Sequence, residues 1–302
     1  MADRSLVAMA VLAAGIALIP AAAQTGQKTF ATPREAAQAL VDAAAANDAA
    51  AMLQIFGPGG KDIVQSGDAA QDKADRAQFA ALARQKMQVE TDQDHDRATI
   101  VVGPDDWPMP VPIVLDKGKW RFDPAVGRVE VLARRVGRNE LTAIEVCRAY
   151  VEAQMEYASR DRTTSGLLQY AQKILSTPGK KDGLYWEGEP DNLVPKAFAD
   201  ASSAMAAVKK PVPYHGYFFH ILKAQGPEAE GGTMDYLVNG KMIGGFALVA
   251  YPDEYGVSGI KTFLVSHRGK VYEKDLGATT GTLARQMTRF NPDKTWKLVT
   301  GE

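Results

Sequence analysis

A single cysteine, Cys147, stands in a chain of 302 residues. It cannot form an intramolecular disulfide, so the fold has to rest on core burial. Beyond residue 23 there is no second long apolar run, and no stable membrane insertion of the remaining chain is expected. Neither sign of charge dominates: 35 Lys and Arg stand against 36 Asp and Glu, for a formal net charge of -1. That removes the basic footprint of a nucleic-acid binder and the patch that an anionic membrane attracts. Also missing are a phosphate loop, a dinucleotide fingerprint, a zinc-pair motif and a zinc-protease helix. No cofactor and no metal are therefore expected.

What is present begins at the N-terminus. Arg4 supplies a positive charge, Leu6 to Ile19 form an apolar stretch, and Pro20 breaks it before Ala21-Ala22-Ala23. This pattern reads as a secretory signal peptide over residues 1–23, cleaved after Ala23 to leave Gln24 first. With no Cys beside the cleavage site, a lipid anchor is not indicated. The expected location is periplasmic or secreted, where ATP and nicotinamide cofactors are lacking.

The remainder is long enough for about two domains of ordinary size. Thr32-Pro33-Arg34-Glu35 is a helix start with a capping residue, a proline and a capping-box glutamate. Ala36, Ala37, Leu40, Val41 and Ala44 continue it at helical spacing. A short second helix stops at Gly57-Pro58-Gly59-Gly60, Asp62 to Ser66 suggests a short strand, and Asp72 to Met87 a third helix. Strands are expected at Met87 to Glu90, Ala98 to Val102, Val111 to Leu115 and Lys119 to Phe122, with a turn at Asp116-Lys117-Gly118. Asp123 to Val136 reads as a linker into a helix from Glu140 to Ala158, whose apolar stripe is Leu141, Ile144, Cys147, Val151, Met155 and Ala158. Further helices are expected at Gly166 to Leu175 and Val194 to Val208. Strands follow at Tyr214 to Lys223, Met242 to Tyr251 with a bulge or close packing at Gly244-Gly245, Gly259 to Ser266 and Lys270 to Lys274. The expected class is α+β, with an N-terminal domain over 24–127 and a C-terminal domain over 136–302.

Helices followed by an antiparallel meander ending in Trp120-Arg121-Phe122 resemble the cone of nuclear transport factor two-like proteins, which implies a curved sheet filled by helices. In the second half, Asn139-Glu140-Leu141, Ser176-Thr177-Pro178-Gly179, Asp182-Gly183-Leu184-Tyr185-Trp186, Tyr214-His215-Gly216-Tyr217 and Asn239 to Phe246 follow in order. Together they resemble the bacterial domain of unknown function 2950 family, which implies an exported protein and no particular activity. One long helix ahead of Tyr217 to Phe219 and Thr262 to Lys270 is also similar in order to a pilin head. A calcium-like loop that the family pattern often carries is replaced here by residues 159–166, whose two arginines and one aspartate make a poor cation cage.

Candidate chemistry is sparse. Asp92, Asp94 and Asp96 alternate around His95, but Arg97 and Gly103 occupy the positions where a calcium loop needs Gly and Glu, so a solvated hairpin tip is expected. His215 and His220 differ by five residues and point to opposite faces of a strand, which prevents shared ligation. Ser258 lacks the spacing of a nucleophile elbow. Cys147 reads as a small buried hydrophobe. Asp182, Tyr185, Trp186 and Tyr214 are the candidate binding group, because Gly-hinged loops with aromatics often form contact surfaces. The competing role is anchoring: Trp186 buried, Tyr185 exposed. The favoured function is a non-catalytic binding or interaction module for an envelope protein or a small ligand. Two alternatives stand beside it. One is a hydrolase or isomerase with a pocket in the N-terminal cone, using Asp105 or Asp106. The other is a pilin-like assembly component.

Overall fold

The structure, a computed structural model, describes residues 26–92, 94, 96–203 and 212–300. The expected signal peptide and its cleavage site, His95, and the end of the helix drawn to Val208 lie outside the described residues. The described residues form antiparallel sheets covered by helices, an α+β fold as expected.

Local chemistry starts each N-terminal helix. Thr32 Oγ1 accepts from Glu35 N at 3.1 Å at the head of α1 (Pro33–Ala45), and the Glu35 carboxylate accepts from Ala31 N at 3.0 Å. Asp48 caps α2 (Ala49–Phe56). A short helix, α3 (Lys61–Val64), stands where a strand was expected, and Asp68 then caps α4 (Ala69–Gln85). The strand fails because the Pro58–Gly60 turn runs straight into α3, and the Asp72 carboxylate takes the Ser66 N–H at 3.0 Å. No ladder partner is then needed.

The first sheet contains β1 (Met87–Asp92), β2 (Arg97–Val102), β3 (Trp107–Pro108), β4 (Ile113–Asp116) and β5 (Lys119–Phe122). Its order is β1-β2-β4-β5, with β3 also on β2. Leu40, Ile55, Phe56, Ile100, Ile113 and Phe122 bury in the core between helices and sheet. The outer side of β5 is met by Phe30, which bridges Trp120. β1 has β2 on one side and closes that end of the sheet.

The expected linker is helix. α5 (Pro124–Ala158) runs for 35 residues from a cap at Asp123, whose Oδ1 accepts from Ala125 N at 3.1 Å. Proline at the first helical position explains the start. Gly127 lets α5 approach the first sheet, since a Cβ there would lie 2.6 Å from Val111 Cα. Buried Arg135 donates to the carbonyls of Asp62 at 2.6 Å and Ile63 at 3.0 Å, near the end of α3. Desolvation lowers its pKa, against the attraction of Asp72 and Asp75.

The buried face of α5 also differs from the expected stripe. Leu141 is 65% exposed and Met155 45% exposed, while Ala143, Cys147, Tyr150, Ala153, Gln154 and Tyr157 are buried. Small residues let the helix approach closely and tyrosines fill the space between. Gln154 is buried without penalty because its Nε2 donates to Ala171 O at 2.9 Å and to the Tyr150 hydroxyl at 2.8 Å, and its Oε1 accepts from Ala171 N at 2.8 Å.

After α5 come α6 (Lys196–Ser203), β6 (Tyr217–Leu222), β7 (Ala224–Gln225), β8 (Met234–Asp235), β9 (Leu237–Val238), β10 (Lys241–Met242), β11 (Ala247–Pro252), β12 (Lys261–Ser266), β13 (Val271–Asp275), α7 (Thr280–Gln286) and β14 (Lys297–Leu298). The large sheet has the order β14-β13-β12-β11-β6. β11 is buried at every position and is contacted by α5 and α7. The helix expected at Gly166 to Leu175 is irregular chain, held by Gln154 and turned by Gly166 at φ 73°. The strand expected from Met242 to Tyr251 is split into β10 and β11. Between them, a Cβ on Gly245 (φ 140°) would meet His267 Nδ1 at 2.6 Å, the close packing expected of that glycine pair.

Two hydrophobic clusters result, one under each large sheet. Polar contacts tie the halves: Arg138 pairs with Asp75 at 2.7 Å, and His215 Nδ1 lies 3.0 Å from Gln71 Oε1; within the second half, Asn139 Nδ2 donates to Ser258 O at 2.9 Å.

Candidate functional site

The loop carrying Asp182, Tyr185 and Trp186 is knitted to the chain ahead of it. Leu184 N donates to Ile174 O at 2.9 Å, Ser176 N to Tyr185 O at 2.9 Å, and Leu193 N to Leu184 O at 3.1 Å. Gly183 is required by this closeness, because a Cβ would sit 2.9 Å from Ile174 O. Asp182 organises the turn: its carboxylate accepts from Thr177 N at 2.8 Å, Thr177 Oγ1 at 2.8 Å and Lys173 Nζ at 2.9 Å. Burial works against its charge, but these bonds outweigh burial and hold the carboxyl below its ordinary range.

Trp186 is 2% exposed. Arg162 lies 5.1 Å and Lys181 4.9 Å from its ring centroid, a cation–π arrangement on a buried aromatic. Its backbone N–H is taken by Asn192 Oδ1, while its buried indole N–H meets no acceptor among the described residues. Tyr185 is half-buried rather than exposed, with Lys196 Nζ 5.9 Å over its ring. Tyr214 is also half-buried, and its ring packs on Phe198 at 6.0 Å. Lys196 and Phe198 both belong to α6, so that helix links the two tyrosines.

The other candidates sit as follows. Asp161 folds its own loop, accepting from the backbone N–H groups of Thr163, Ser165 and Gly166. Asp92, Asp94 and Asp96 lie at the exposed β1–β2 tip. Among the described residues, no group of three or more His, Cys, Asp or Glu could hold a metal ion. Ser258 is buried and its hydroxyl donates to Glu254 O at 3.1 Å, inside a turn. Cys147 is fully buried, and desolvation pushes its thiol up to about 12. His220 is largely buried; its Nε2 lies 3.1 Å from Met287 O, and desolvation lowers its pKa. Asp105 and Asp106 are exposed on the turn before Trp107, and Asp106 is paired to Lys86 at 2.5 Å.

The feature that residue patterns could not reveal is the edge formed by β1. A groove of about 450 Å³ runs beside it, with Pro33 and Arg34 on one wall and residues 87–91 on the other. Gly103 N donates to Lys86 O at 3.0 Å and Met109 N to Ile100 O at 2.7 Å. With Val89 opposite Ile100, these bonds fix the phase of the ladder. Gln88, Glu90 and Asp92 direct their backbone groups toward β2, and Met87, Val89 and Thr91 direct theirs outward. No backbone partner meets those outward groups among the described residues.

Among the described residues, no helix is long and apolar enough to cross a membrane. No curated protein and no solved structure matches the chain. A family model does match, over residues 27–299, and the chain therefore belongs to the family described as Protein of unknown function (DUF2950).

Proposed function

We propose that this chain is a non-catalytic interaction module that acts in the periplasm or outside the cell, after loss of residues 1–23. The observation that carries the reading is the outer side of β1. It offers a row of backbone donors and acceptors beside a groove of about 450 Å³, which is what strand addition by an extended protein segment requires. Main-chain pairing would supply affinity, and the half-buried Met87 and Val89 beside exposed Gln88 and Glu90 would supply side-chain selection. In the second half, Asp182 and Trp186 hold their loop, and the accessible parts of Tyr185 and Tyr214 form a secondary contact surface.

The test is a photoreactive amino acid placed at Gln88 in cells that export the protein, with Leu141 as an exposed control on α5. A covalent protein adduct from Gln88 and none from Leu141 is expected. Adducts from Leu141 alone, or from neither position, overturn the reading.

A further inference from the structure

Resting on that reading of β1, we propose that the occupant of the edge is a second copy of this chain, paired antiparallel through β1 about a two-fold axis at Val89. The sequence of the edge is self-complementary in this register. Outward-facing backbone belongs to Met87, Val89 and Thr91, so a two-fold pairing must bring these residues opposite one another. Centring the axis on Val89 puts Met87 opposite Thr91, and Val89 opposite its own copy. On the other face it puts Gln88 opposite Glu90, and Lys86 opposite Asp92. Lys86 belongs to the same extended run, with φ -156° and ψ 129°. Two Lys–Asp pairs then close the two ends of the junction. Moving the axis to Glu90 would set that carboxylate opposite its own copy, a like-charge pair.

The surroundings permit this pairing. β1 carries neither proline nor a bulge in its six residues, two of the devices by which edges are protected, and its charged residues Glu90 and Asp92 meet Gln88 and Lys86 in this register. The groove leaves space beside it, and Gln88, Glu90, Thr91 and Asp92 are exposed. Lys86 already reaches Asp106, and Asp92 accepts from Asp94 N at 3.2 Å. The first is an exposed ion pair and the second an exposed hydrogen bond from the backbone, and surface contacts of this kind rearrange at little cost. Joining the edges makes one continuous sheet from the two first sheets, an isologous contact that closes on itself.

Sedimentation of the purified chain lacking residues 1–23 tests the register. Wild type is expected to self-associate reversibly in the micromolar range. Lys86→Glu or Asp92→Lys alone sets like charges opposite each other twice per dimer, and should weaken association about tenfold or more. The double variant Lys86→Glu with Asp92→Lys exchanges both partners and should restore association to within about threefold of wild type. Val89→Pro removes an outward N–H that the β1–β2 ladder does not use, and should give a folded monomer, with folding checked by circular dichroism. A wild-type chain that stays monomeric at the highest concentration overturns the inference, and so does a double variant as weak as either single one. If wild type is monomeric while Gln88 crosslinks to a different protein, the docking edge stands and the second copy is wrong.

Discussion

Trp186 shows what single residues contribute. Buried under Arg162 and Lys181, it anchors the loop that Asp182 folds. Trp186→Ala should cost about 3 to 5 kcal/mol in chemical denaturation, the range for deleting a large buried aromatic. Its burial was legible in the sequence from the turn-forming residues on either side; the half-burial of Tyr185 was not, because Lys196, which covers it, comes from a separate helix. Cys147 was also legible, although its assigned stripe was right only in part: Ile144 and Val151 pack against the core, while Leu141 and Met155 are exposed. With its thiol pushed up to about 12 and no exposure, it should react with thiol reagents only as fast as the protein unfolds. Cys147→Ser should cost about 1 kcal/mol or more through a buried hydroxyl. His220 predicts a pH effect. Its folded pKa is lowered from the ordinary 6.5 by desolvation, so the unfolded chain binds the proton more readily. Its stability contribution is intact above pH 6.5 and falls as pH drops from 6.5 toward the folded value. His267 is lowered, with desolvation the largest cause, and acts in the same direction. Melting temperatures from pH 7.5 to 5 should therefore fall, and fall less for His220→Gln.

α5 shows where pattern reading fails at the scale of an element. Hydrophobic periodicity weights large apolar side chains, so it selected Leu141 and Met155, which are exposed. The packed face uses alanines, tyrosines and a glutamine whose amide is satisfied by Ala171 and Tyr150, and such residues carry no periodic apolar signal. The same limit hid its first third. Residues 124–136 contain glycine and several charged residues, and they read as a linker, although Asp123-Pro124 is a helix start and Arg135 reaches the end of α3. Gly127→Ala tests this packing. The added methyl would meet Val111 Cα at 2.6 Å, so destabilisation by about 1 to 3 kcal/mol is expected despite the better helix propensity of alanine. An unchanged or raised denaturation midpoint would show that α5 does not press on the first sheet.

At the scale of the molecule, the α+β class and most strand positions followed from alternation and turn residues. Strand order did not. Which strand ends a sheet depends on contacts between segments far apart in sequence, and the meander alone left β1 undistinguished from its neighbours. The groove beside it needs Pro33 and Arg34, more than fifty residues away along the chain. Since the reading of function rests on that edge, the most direct measurement is residue-resolved amide hydrogen exchange across β1 as a function of protein concentration. In dilute protein the amides of Gln88, Glu90 and Asp92 should be protected and those of Met87, Val89 and Thr91 should exchange fast. As concentration rises, the second set should gain protection while the first stays unchanged. Outward amides already protected in dilute protein, or fast at every concentration, would contradict the assignment of β1 as the edge through which this protein pairs.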